Sequence, residues 1–270
     1  MNSFFKKIRT YSKNQLIQAV PTDAEELIKS IPASAKETER WDKEWIVYFN
    51  TENPRPFLVD YQVIKQNHSV INNIKNLSQK EVLEAQFFEE LAPLSIWVLG
   101  SDLANKYVLE IGCGPGFLGK QLGLVAKQYV GIDYSQLALS IARLVSPDNC
   151  NYIHMQDWEK ILGYANSIDT MVGRFFFIHQ NFDNALWLLK IANMLLKPGG
   201  VVSADFYQAN PDIPQGVVFP AKSPLSKNYP SCGFEYTESE IQELASKTGF
   251  KIASIHPLPS MQRLFVRFEK

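Results

Sequence analysis

Eight consecutive residues, Glu110-Ile111-Gly112-Cys113-Gly114-Pro115-Gly116-Phe117, carry the strongest chemical suggestion in this sequence. Glycines spaced so closely after an apolar run let the backbone turn sharply. They also let a ligand touch the main chain, because no Cβ intervenes. A plain strand-to-helix connection can use the same turn, so the spacing has to decide. A dinucleotide fingerprint reads G-x-G-x-x-G and leaves room for a pyrophosphate on a helix N-terminus. Here the run is G-x-G-x-G, with Glu110 two positions before the first glycine. A carboxylate there repels a pyrophosphate and favours a cation. The ligand implied is nucleoside-like and positively charged.

Asp133 lies seventeen residues after Gly116, at the end of the next apolar run, and is followed by Tyr134 and Ser135. Its carboxylate can accept both hydroxyls of a ribose, and its competing role is to cap the helix that opens at Ser135. Asp157-Trp158 follows a third run. There an aspartate can accept from an adenine amino group beside an indole, or simply cap a helix while the tryptophan packs. His179, in GRFFFIHQ, is the histidine placed to act as a base, and its competing role is to line a pocket. Cys113 sits inside the glycine turn, where a small residue fits for steric reasons, and is expected to be inert.

These residues need a scaffold that brings strand ends together. From Tyr107 onward, short apolar runs alternate with helical stretches: YVLEI from 107, YVGID from 129, residues 151–154, DTMVG from 169 and residues 201–206. That rhythm means βαβ units and a mostly parallel sheet covered on both faces. The apolar helix before the fifth strand is expected to stop at Lys197-Pro198-Gly199-Gly200. Thr237 with Glu240 caps a last helix that ends at Gly249. Lys251 to Ile255 and Leu264 to Phe268 read as two final strands at an antiparallel edge. Residues 207–233 hold five of the 15 prolines and read as an irregular insertion.

Residues 1–106 read as helices joined by proline-rich loops. Capping boxes appear at Thr22/Glu25, Ser34/Glu37 and Ser78/Glu81. The second leads into a helix with Trp41, Trp45 and Tyr48 on one face, a candidate lid or packing surface. Residues 1–106 are therefore expected to form a helical N-terminal cap, and residues 107–270 the ligand-binding domain.

Of the 270 residues, 46% are hydrophobic and 20% charged, enough to bury a sizeable core. With 27 basic and 28 acidic side chains, the formal net charge is -1, which argues against a nucleic-acid partner. Cys113, Cys150 and Cys232 offer neither a disulfide framework nor a metal knuckle. No secretory signal is read at the N-terminus. Glu90, Asp102 and Arg174 interrupt the apolar stretches before they reach the roughly 20 residues of a membrane span. A cytoplasmic protein without a metal is expected.

Taken together, the motifs resemble the class I S-adenosylmethionine-dependent methyltransferases. LEIGCGPG is similar to that family's first motif, GIDYS to its ribose-binding second strand, MQDW to its adenine-contacting third strand and LLKPGG to the approach to its fifth. The resemblance covers residues 107–206 in order. It implies a doubly wound α/β fold with a seven-stranded sheet whose last strand is antiparallel, and S-adenosylmethionine as cofactor. It further implies that Gly112, Gly114 and Gly116 line the methionine part, Asp133 the ribose, and Asp157 with Trp158 the adenine. Arg174 and Phe175 would lie beside the sulfonium. Glu110, Cys113 and Tyr134, interleaved with these, complete the expected cofactor set.

The chemistry asks chiefly that an acceptor atom be held close to an activated methyl and aligned with it. Enzymes of this class acting on amino groups of nucleic-acid bases commonly carry a D/N-P-P-aromatic run after the fourth strand, and this chain has GRFF there. A small-molecule acceptor is expected, with O-methylation ahead of N-methylation. Two other readings stay open: a nicotinamide-dependent oxidoreductase on a related fold, and a cofactor-binding protein without catalysis.

Overall fold

Apolar runs of five or six residues can bury both faces only inside a covered parallel sheet, and the chain builds one. The computed structural model describes residues 34–47, 100–209, 218–222, 233–259 and 262–270. Helix α1 (Ser34–Val47) comes first, followed by β1 (Tyr107–Ile111), α2 (Gly119–Val125), β2 (Gln128–Asp133) and α3 (Gln136–Val145). Then come β3 (Cys150–His154), α4 (Trp158–Leu162), β4 (Ile168–Gly173) and a 3-10 turn over Phe177–His179, a second such turn over Gly100–Asp102 having preceded β1. The second half holds α5 (Phe182–Leu195), β5 (Leu196–Gln208), β6 (Val218–Pro220), β7 (Gly233–Tyr236), α6 (Glu238–Thr248), β8 (Lys251–Leu258) and β9 (Arg263–Glu269).

The strands form one sheet in the order β3-β2-β1-β4-β5, continued by β9 and then β8, with short β7 and β6 attached at the far end of β5. β1 to β5 are parallel, and β9 runs antiparallel to both β5 and β8. The expected doubly wound sheet is therefore present, with two short strands added. One detail differs from the sequence reading. The last strand is inserted between β5 and β8, so of these final two strands β8 alone lies at the edge. Leu264, Val266 and Phe268 share one face of this strand and are all buried there.

The helix boundaries have local causes. Ser135 accepts the N–H of Ala138 at 3.0 Å and opens α3. Thr237 and Glu240 form the reciprocal box that opens α6, and Gly249 ends it with φ of +75°. At the entry to β5 the structure corrects the sequence reading. Leu196 already pairs with Ile168, and pairing resumes at Val201 with Thr170, so Lys197-Pro198-Gly199-Gly200 loops out of a continuing strand. The insertion is not wholly irregular either, since Val218–Pro220 adds a strand to β7. The boxes at Thr22 and Ser78, the position of Tyr48 and most of residues 207–233 lie outside the described residues.

Beneath the sheet, Phe206 is fully buried between Phe177 (5.1 Å between centroids) and Tyr236 (4.9 Å). This packing sets the β4 and β5 ends at fixed height. Both carry site residues.

Candidate functional site

The carboxyl ends of β1, β2 and β4 surround one cavity of about 320 Å³. This is where a doubly wound sheet holds its ligands. The glycine turn forms its floor, with Gly112, Gly114 and Gly116 all in the left-handed region (φ 69°, 52° and 86°). At two of them the close approach is to aromatic walls. A Cβ on Gly112 would lie 2.2 Å from the Phe176 ring, and one on Gly114 2.7 Å from the Trp45 indole. Gly116 faces elsewhere. A Cβ there would meet Ala142 of α3 at 3.1 Å, so this glycine lets α3 close against the turn and does not line the cavity.

The amides of the turn are tied back to β2. Gly112 and Cys113 both donate to the carbonyl of Ile132, at 2.8 and 3.1 Å. Asp133 accepts the Gly114 N–H at Oδ2 and the Ser135 N–H at Oδ1, both at 2.8 Å. Each of its oxygens keeps a second lone pair, so a diol can still be accepted. Burial pushes the Asp133 carboxyl up to about 6, against the pull of those two amides.

Glu110 is only 2% exposed and lines the same cavity. The Tyr129 hydroxyl donates to its Oε2 at 2.6 Å. Burial pushes the Glu110 carboxyl up to about 8, although the Tyr129 bond and the Arg174 charge pull the other way. Cys113 is buried beside these carboxyls, and burial drives its thiol well above the usual range. That burial disfavours the thiolate, the form that would act as a nucleophile.

Beyond β4, Arg174 and Phe175 form the next wall, and the backbone of Phe175 is left-handed at φ 52°. That conformation is uncommon for an aromatic residue. It is held from β5, where Asp205 accepts the Phe175 N–H at Oδ1 (2.7 Å). Arg263 of β9 donates to the other oxygen at 3.2 Å and lies 3.8 Å over the Tyr207 ring. Asp205 is fully buried; burial pushes it up to about 7, and the Arg263 charge is the largest pull back down. His179 completes this side, its ring edge-on to Trp41 with centroids 5.1 Å apart.

The roof is α1. Trp41 and Trp45 both line the cavity, and Trp45 lies 5.8 Å from the Phe117 ring. The aromatic face read in the sequence is thus a cavity wall. On the same helix, the Arg40 guanidinium stacks on Trp41 at 4.9 Å.

The structure therefore gathers Glu110, Gly112, Cys113, Gly114, Asp133, Tyr134, Arg174, Phe175 and His179 around one space. It does not bring Asp157 and Trp158 there. Asp157 precedes α4 and makes no side-chain cap; it pairs with Lys160 at 2.8 Å on the surface. The partly buried Trp158 indole packs against the core, edge-on to Trp187 at 4.9 Å. The sequence reading missed Phe117, Leu118 and Phe176 as lining residues. Their positions directly after the glycine turn and after the β4 end were the available signal.

A family model described as a methyltransferase domain matches residues 102–252, and the chain belongs to that family. The ubiquinone biosynthesis O-methyltransferase of Aromatoleum aromaticum is 33% identical over 118 residues, covering 42% of this chain and 50% of the relative. That of Colwellia psychrerythraea is 25% identical over 148 residues, covering 52% and 58%. The chain thus spans about half the length of the curated relatives it matches. Among solved structures, magnesium protoporphyrin IX methyltransferase from Synechocystis PCC 6803 with bound SAH superposes with a TM-score of 0.49. It is 16% identical, and the match covers 84% of this chain and 99% of that one.

Proposed function

We propose that this chain binds S-adenosylmethionine and transfers its methyl group to an oxygen of a small-molecule acceptor. The observation that carries the reading is the cavity itself: a left-handed glycine turn flanked by two buried carboxyls and walled by aromatic rings. Its donor set suits the group. Glu110 and the rings of Trp41, Trp45 and Phe176 favour a cation, and Asp133 has lone pairs left for a ribose diol. Bound there, S-adenosylmethionine supplies a methyl already activated for displacement.

What this chain's residues do is then limited and specific. Glu110 and Asp133 bind and orient. Trp41, Trp45 and Phe176 exclude water, and the Arg174 charge favours the ionised form of Glu110. His179 stands on the wall nearest Trp41, where a neutral imidazole can take the proton that an acceptor hydroxyl loses. In this reading residues 1–106 serve as a cap and residues 107–270 as the cofactor domain. The named activity of the O-methyltransferase relatives supports oxygen as the acceptor atom. The near-neutral charge supports a small acceptor over a nucleic acid.

The test is to incubate the protein with a methyl-labelled donor and a cell extract, and to identify the labelled product. A labelled small molecule with an ether or ester methyl is expected, and its formation should slow at least tenfold in His179→Ala. Label appearing only in nucleic acid or protein would contradict the reading.

A further inference from the structure

α1 docks in an unusual way. Among residues 37–47 only Asp42 is buried, although Trp41, Ile46 and Val47 are available for apolar packing. Burying a carboxylate is costly unless partners replace its water. Asp42 has them: Ser135 Oγ donates to its Oδ1 at 2.5 Å, and the Leu137 N–H donates to the same oxygen at 3.1 Å. Both belong to the start of α3, where the helix dipole favours negative charge. Asp42 therefore caps a helix 93 residues away in sequence.

The same contacts close a ring around the cavity. Ser135 gives its hydroxyl to Asp42 and its N–H to Asp133. Asp133 also holds the Gly114 N–H, and Gly114 lies against the Trp45 indole of α1 itself. A second hydrogen-bond contact, Thr38 Oγ1 with His154 Nε2 at 3.2 Å, lies one turn earlier on the same helix. Trp41 and Trp45, on either side of Asp42 in sequence, both line the cavity, so the helix anchored through Asp42 is the one that carries the roof.

From this geometry we infer that Asp42 is a positioning residue: it latches α1 over the cofactor cleft and couples the seating of that helix to cofactor binding. The inference rests on the methyltransferase reading for the identity of the ligand. A ligand that engages Asp133 acts on Ser135, and through it on Asp42. Linkage makes the effect reciprocal, so a factor gained in affinity from the seated helix is returned as protection of the helix.

Calorimetry with S-adenosylhomocysteine and amide hydrogen exchange test this together. Asp42→Ala should raise the dissociation constant about tenfold and abolish protection of residues 37–47 while leaving β1 to β4 protected. Asp42→Asn, which keeps an acceptor oxygen, should restore most of both. In the unsubstituted protein, added ligand should increase protection of residues 37–47. Unchanged affinity in Asp42→Ala, or no ligand-dependent protection of the helix in the parent, would overturn the inference. The second result decides even if Asp42→Ala fails to fold. Absence of any binding by the parent would instead overturn the methyltransferase reading, leaving exchange in the ligand-free Asp42→Ala to judge the latch.

Discussion

Glu110 is a carboxyl held almost out of water, and its protonation decides what the cavity attracts. With its carboxyl pushed up to about 8, it keeps its proton at neutral pH in the free protein. A ligand with a fixed positive charge favours the ionised form and so expels that proton on binding. The affinity of S-adenosylmethionine relative to S-adenosylhomocysteine isolates this charge, because the two differ only in the methyl. The ratio should rise as pH climbs toward 8, by up to about tenfold per unit, and level off above it. Glu110→Gln should flatten the profile. Parallel profiles in parent and variant would show that Glu110 does not face the sulfonium. At Asp133, charge-assisted bonds of about 1.5–3 kcal/mol each are at stake, so Asp133→Asn should weaken S-adenosylhomocysteine at least tenfold. Titration calorimetry checks this, and unchanged affinity would remove the ribose assignment.

At the scale of elements, most of what positions these residues could be read from spacing. The strand-end turn, Ser135 as the cap of α3 and the Thr237–Glu240 box are local signals, carried by residues within four positions of each other. Thr237→Ala should therefore cost about 1 kcal/mol of stability, seen as a shifted denaturation midpoint, without changing ligand affinity. What could not be read is long-range. Asp42 finds its donors 93 and 95 residues away, and Asp205 finds Arg263 58 residues away. Nothing in either neighbourhood announces a partner. Asp157 and Trp158 are a different case: the spacing is right, but Asp157 pairs with Lys160 on the surface and the Trp158 indole packs edge-on to Trp187, so neither lines this cavity. The Asp205 contact has an energetic test. Asp205→Ala removes the carboxylate from buried Arg263 and the acceptor from Phe175, and breaking such a pair costs about 3–5 kcal/mol. Chemical denaturation should show a loss of that size, and a loss below about 1 kcal/mol would mean that the pair is not what holds the Phe175 turn.

For the molecule as a whole, the family match over residues 102–252 takes in β1 to β5, and α1 lies across the cavity at their carboxyl ends. Among the described residues no helix is long and apolar enough to cross a membrane. The glycine spacing and Glu110 favour a cationic nucleoside over a dinucleotide in this cavity. Titrating the purified protein with S-adenosylhomocysteine and, separately, with NADH tests it most directly. Saturable one-to-one binding of the homocysteine nucleoside and no saturable response to NADH are expected. Saturable NADH binding with no response to S-adenosylhomocysteine would contradict it.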